Sequence, residues 1–175
     1  IIENKEYKDH VWLLSTTSKR VLNWLFNAEI ILNSVNRTFK RDFYETLILQ
    51  INHIKKNLKS ESDQSRRIEL ISALIVSGVV FKECSENYES GVRELKKSCD
   101  LYFDDFGFPL DKNIANLLKY SKYLIIIKEC IKEAQKNVPE FVDELSEKIN
   151  CNLKNVLAPN NKLPLFNGVV ELDLT

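Results

Sequence analysis

Four cations, two tryptophans and one short turn are the places in this 175-residue chain where residue type and spacing suit chemistry. The cations are Arg20, Arg66, Arg67 and Lys112. A guanidinium is a planar fork that takes a carboxylate or sulfate through two parallel hydrogen bonds, whereas an ammonium acts as a point charge. The plainer role for each is a solvated face or an ion pair with a neighbouring Glu. Trp12 and Trp24, a helix apart, present flat apolar faces on which a ring can stack, although a Trp in an amphipathic helix more often belongs to the core. The turn is "DDFGFPLDKN", residues 104–113, which gathers Asp105, Phe108, Lys112 and Asn113 around Gly107 and Pro109. Gly and Pro suit a link between helices, but such a link gains nothing from phenyl rings in water. Phe106 and Phe108 are therefore expected to be covered, by the ends of the flanking helices in the plainer reading or by a bound partner.

The remaining reactive residues point to no familiar chemistry. His10 and His53 have no acidic partner at helical spacing, and His53 in "QINHIKK" reads as a partly buried structural residue. The run "HIKKNLK" reads as a solvated helix face. Cys84, Cys99, Cys130 and Cys151 form no CxxC pair and have no His at metal-ligand spacing, so they are expected to be buried thiols. No Gly-rich phosphate loop, nucleophile elbow or paired metal-ligand motif is present, and neither cofactor nor metal is expected. Twenty-five basic residues balance twenty-five acidic ones, which removes the whole-chain electrostatic argument for nucleic acid or an anionic membrane. The longest apolar runs, "LIVSGVVF" (74–81) and "YLIII" (123–127), are far too short to span a bilayer. The protein is thus expected to be soluble, and a first residue other than Met suggests processing or truncation at the N-terminus.

The elements that must position these residues are helical. Low Gly and Pro with abundant Leu, Ile, Lys and Glu predict an all-α fold of about six helices. The first starts at Ser18 as its cap and places Val21, Leu25, Ala28 and Leu32 on one side, with Val11 to Leu14 as the end of an earlier helix. The second runs over 39–58 with Phe43, Leu47, Ile51 and Ile54, and the third over 66–82 is apolar around most of its circumference. Gly78 inside the third costs about 1 kcal/mol of helix propensity, which close approach of a neighbour offsets. The fourth spans 86–103, the fifth 113–137, and the sixth, restarted by Pro139, spans 140–156 with Phe141, Leu145, Ile149 and Leu153 at steps of four. Residues 1–157 read as one helical domain. Residues 158–175, with Pro164, Asn167-Gly168 and the alternation Val170, Leu172, Leu174, read as an extended tail or linker. Antiparallel helix pairs of this kind stack into a bundle, a solenoid or a curved toroid, and periodicity leaves that choice open.

Several blocks in order carry a resemblance: "SKRVLNWLFN" (18–27), "ELISALIVSGVVF" (69–81), "GVRELKKSCDLYFDDFGFPLDKN" (91–113) and "PLFNGVVE" (164–171). Together they resemble the N-terminal helical domain of the heparinase II/III-like polysaccharide lyases. The resemblance implies an incomplete α/α toroid with a long cleft, followed by a β-sandwich domain, and cleavage of uronic-acid-containing polysaccharide by β-elimination. The partners it implies are an acidic polysaccharide and that downstream β-sandwich. The candidate substrate contacts are then Trp12, Arg20, Trp24, Arg66, Arg67, Asp105, Phe108, Lys112 and Asn113. This chain departs from the family where the chemistry is expected. Ser65 and Arg66 stand at the place of an Asn-His pair, and "DFGF" replaces "DGGH", keeping Asp105 and Gly107 in kind but putting Phe108 where His stands. Ala115 falls near the expected Tyr. No catalytic residue carries over, and the chain alone is expected to be inactive. From the residues alone, a stand-alone helical module that binds a protein or peptide between helix pairs is the other reading.

Overall fold

The structure, a computed structural model, describes residues 10–156. The expected strand-like tail and the first residues of the chain lie outside that range. The fold is all-α, as predicted, and the only β-pairing among the described residues is an isolated bridge between Phe103 and Pro109. Among the described residues seven α-helices follow one another: α1 Leu14–Phe26, α2 Ala28–Leu32, α3 Arg37–Asn57, α4 Gln64–Val80, α5 Glu86–Tyr102, α6 Ile114–Glu133 and α7 Glu140–Val156.

The chain forms two compact units, with the division after Arg93 inside α5. In the first, α4 is the centre. Every residue from Ile68 to Gly78 is buried, as its nearly all-round apolar sequence predicts, and α1 and α3 pack against it. Helix α3 contributes Phe43, Leu47, Ile51 and Ile54, all fully buried, at steps of four, four and three. Asn36 caps α3 by accepting the Phe39 amide at 2.8 Å, and Asp63 caps α4 by accepting the Ser65 amide at 2.8 Å. Gly78 earns its place in α4. A Cβ there would sit 2.2 Å from the Tyr88 backbone nitrogen, so the first turn of α5 lies almost backbone to backbone on α4.

The N-terminal part corrects the sequence reading. Helix α1 begins at Leu14, so Val11 to Leu13 do not end an earlier helix, and Ser18 is buried inside α1 rather than capping it. Its hydroxyl donates to the Ser15 carbonyl at 3.0 Å, and that local bond lets a polar side chain sit within a helix. The stripe expected from Val21 to Leu32 breaks at Asn27, whose side-chain and backbone nitrogens both donate to the Asn23 carbonyl. The five-residue α2 that follows buries nothing, and Ile30 is 77% exposed.

The second unit holds the rest of α5, the turn, α6 and α7. Tyr120 is fully buried at its heart, stacked on Tyr102 at 5.3 Å and edge-on to Phe103 at 4.9 Å. Helix α6 stops before the expected Asn137 because Gln135 turns left-handed at φ 56° and the Lys136 amide returns to the Ile131 carbonyl at 3.1 Å. Helix α7 matches its predicted range, although Val142 rather than Phe141 fills the inner position. The expectation of four buried thiols is corrected too: Cys84 and Cys99 are buried, Cys130 is intermediate and Cys151 is exposed on α7.

Candidate functional site

The turn 104–113 is built by its own side chains. Asp104 Oδ1 accepts the amides of Phe108 at 2.8 Å and Phe106 at 3.1 Å, while its own amide donates to the Phe108 carbonyl at 2.9 Å. The Gly107 amide closes the loop on the Asp104 carbonyl at 2.9 Å, and Gly107 takes the left-handed φ of 78° that this geometry requires. The Phe108 amide, above all, holds the Asp104 carboxyl below its ordinary range. Downstream, Asp111 accepts from Tyr102 Oη at 2.5 Å, Asn116 Nδ2 at 2.8 Å and the Asn113 amide at 2.9 Å. The turn is also fastened to α7. Asn152 Nδ2 donates to the Phe106 carbonyl at 2.9 Å, and a Cβ on Gly107 would lie 2.6 Å from that of Lys148.

At the tip Phe106 is 78% exposed, so the packing expected for it is absent; Phe108 is half-buried. Beside the turn runs an open groove of about 290 Å³, lined by Lys96, Phe141, Glu144 and Lys148 together with Asp104 and Asp105.

The residues singled out from sequence divide between the two units. Asp105 is exposed at the turn, but its neighbour Asp104 does the organising. Lys112, at a left-handed φ of 56°, places Nζ 3.4 Å from Asp104 Oδ2 and 5.9 Å from the centre of the Phe108 ring. Asn113 spends its side-chain oxygen capping α6, accepting the Ala115 amide at 2.9 Å. These lie in the second unit. In the first, Trp12 is 6% exposed and meets the His53 ring edge-on at 5.3 Å, while His53 Nε2 donates to the Trp12 carbonyl at 3.0 Å. Trp12 is thus a core residue. Arg20 is held inside by Gln50 Oε1 at 2.8 Å and the Val11 carbonyl at 3.1 Å, and burial lowers its pKa. Its guanidinium sits 5.8 Å from the half-exposed Trp24 ring, which leans on Phe43. Arg67 donates to the carbonyls of Leu58 at 3.0 Å and Glu61 at 3.2 Å, so it secures the link into α4. Arg66 reaches solvent, paired with Asp63 at 2.8 Å, and that hydrogen bond first of all raises its pKa.

Sequence reasoning missed Glu69. It is fully buried in α4, accepting from Ser15 Oγ at 2.8 Å with Lys19 Nζ 3.6 Å away. A lone Glu in an apolar run was the available signal. The first unit also carries an open apolar groove lined by Tyr44, Ile48, Phe81 and Cys84, with Leu49 exposed nearby. Among the described residues no group of three or more His, Cys, Asp or Glu is placed to hold a metal, and no helix is long and apolar enough to cross a membrane.

Neither the family models nor the curated proteins contain a match to this chain. Among solved structures, a heparinase III gene product with methylated lysines is similar over 94% of this chain, with a TM-score of 0.65 at 19% sequence identity. This chain spans 28% of that protein's length.

Proposed function

We propose that this chain is the substrate-cradling helical part of a heparinase II/III-like protein that acts on a uronic-acid-containing polysaccharide by β-elimination. The likeness to a heparinase III over 94% of the chain is the observation that carries this reading. The resemblance of the sequence blocks around 18–27, 69–81 and 91–113 supports it independently of the backbone comparison. In this reading the described helices belong to an α/α toroid, and the prefastened turn 104–113 offers Phe106 and Lys112 to the polymer. Lys112 and Arg66 are the cations whose heads reach solvent, whereas Arg20 and Arg67 serve the fold.

The chain alone supplies no lyase chemistry in this proposal. β-Elimination needs an acceptor for the proton next to the uronate carboxylate and donors for the enolate charge that develops. Phe108 and Ala115, at the places where the resemblance expects His and Tyr, can neither accept nor donate that proton. The role left is binding and orientation.

The test is retention of the 175-residue chain on immobilised heparin and polygalacturonate at low salt. Retention that falls with salt and drops in Arg66→Gln plus Lys112→Gln, with helicity unchanged, is the expected result. Failure to bind any uronate-rich or sulfated polymer at low salt sinks the proposal. A second reading, a helical module for protein docking, is favoured by the apolar groove at Tyr44, Ile48 and Phe81. One stoichiometric protein partner, lost in Ile48→Asp and unaffected by the Arg66 and Lys112 changes, is its signature.

A further inference from the structure

We infer that the groove between the C-terminal half of α5, the start of the turn at Asp104 and Asp105, and α7 binds a neutral, hydroxyl-rich sugar unit and excludes the charged unit of the polymer. This deepens the proposed function and rests on it. The groove, about 290 Å³, is at the small end of ligand sites and suits a single sugar ring. Its rim is preformed, because Asn152 holds the Phe106 carbonyl and Gly107 abuts Lys148, so little ordering cost falls on binding.

The lining carries four carboxylates, Asp100, Asp104, Asp105 and Glu144, against two ammonium groups, Lys96 and Lys148. One of those ammonium groups is already engaged. Lys96 Nζ lies 3.4 Å from Asp100 and 5.4 Å from the centre of the Phe141 ring. Asp104 is likewise committed to the turn amides and Lys112. The groups that face a ligand are therefore Asp105, Glu144 and Lys148, all exposed, with half-buried Phe141 as an apolar wall. A uronate or sulfate entering here meets two like charges and one opposite charge, an unfavourable balance. A neutral sugar meets what it needs. Ionised carboxylates only accept hydrogen bonds and hydroxyls donate them, the ammonium donates to ring or hydroxyl oxygens, and the ring covers a C–H face.

The experiment is backbone-amide NMR of the 175-residue chain titrated with cellohexaose, an N-acetylglucosamine hexamer and a galacturonate hexamer. The amides to watch are those of 104–108 and 144–148. Saturable shifts there with a neutral hexamer, abolished in Phe141→Ala, are expected. In Glu144→Lys, whose fold an exposed change leaves intact, the preference should move toward the galacturonate hexamer by about tenfold or more, since reversing one charge alters the local balance by two. Equal or stronger shifts of these amides by the galacturonate hexamer in the unmodified chain overturn this inference and leave the proposed function standing. So does a galacturonate response confined to other amides with no neutral sugar in the groove. No shift with any of the three oligosaccharides overturns this inference, and retention on heparin and polygalacturonate then decides the proposed function separately.

Discussion

Gly107 and Lys148 are in contact at a point where no side chain fits. The glycine has φ 78°, and a Cβ placed on it would lie 2.6 Å from the Lys148 Cβ, well inside any normal contact. At Gly107 the turn 104–113 therefore meets α7 through bare backbone, beside the bond from Asn152 Nδ2 to the Phe106 carbonyl.

Gly107→Ala should weaken that attachment on two counts. A left-handed Ala costs about 1–2 kcal/mol, and forcing the turn off α7 adds roughly 1–3 kcal/mol of overpacking. The expected outcome is a fall in the urea midpoint of this unit with new shifts at the 144–148 amides. An Ala variant as stable as the parent, with those amides unmoved, contradicts the contact.

Gly78 and Gly91 make a paired prediction in the other unit. Both substitutions by Ala gain about 1 kcal/mol of helix propensity. At Gly78 the new Cβ would lie 2.2 Å from the Tyr88 nitrogen and 2.9 Å from the Asn87 carbonyl carbon, both backbone atoms. At Gly91 the nearest atom is Cγ1 of Ile75, at 2.6 Å, and a side chain yields more readily. Gly78→Ala should thus be the more damaging, by about 2 kcal/mol or more in thermal or urea unfolding. The reverse order would mean that α5 does not approach α4 in this way.

Asp104 gives the turn a pH dependence of defined sign. The Phe108 amide is the main cause of its lowered pKa, followed among the favourable contacts by Lys112 and the Phe106 amide, against a desolvation contribution that raises it. A carboxyl whose folded pKa lies below its unfolded value, ordinarily about 3.9, stabilises fully above that value and loses the contribution as pH falls through the folded pKa. The Phe108 amide should therefore titrate with a midpoint below that of an unstructured Asp, and Asp104→Asn should abolish the transition. A midpoint at or above the ordinary value would rule out the bond as the turn's organiser.

What the sequence made legible follows from which forces are local. The start of α7 at Glu140 was readable because Pro139 favours a first helical turn and the apolar steps are regular. The α3 stripe was readable for the same reason. Ser18 misled, because a Ser that caps a helix and a Ser buried within one, bonded to the Ser15 carbonyl, look alike in one dimension. At the site, the wealth of turn chemistry in 104–113 was visible, but Asp104 and Asp105 are adjacent and only the closed loop decides which carboxylate receives the amides. Trp12, Arg20 and Arg67 were chosen for what their side chains can bind. Each has a partner nine or more residues away, at His53, Gln50 and Leu58 respectively, and only tertiary packing reveals that these groups are already engaged.

The four thiols separate by reactivity for the same reason, burial rather than spacing. The thiolate is the form that alkylates, so both access and pKa set the rate. Cys99 is buried and its pKa is pushed up to about 12 by desolvation, with Asp100 adding to the shift; at pH 8 only about one molecule in ten thousand carries the thiolate. Burial raises Cys84 and Cys130 as well, with the carboxylates of Glu83 and Glu133 respectively as the next contributors. Cys151 alone is exposed. Brief treatment of the native chain with iodoacetamide at pH 8 should give a single fast adduct, mapped by mass spectrometry to Cys151. Cys130 should follow more slowly, and Cys84 and Cys99 should react only after denaturant is added. Early labelling of Cys99 would mean that the face of α5 carrying it is open in solution, and the groove beside it would need to be redrawn.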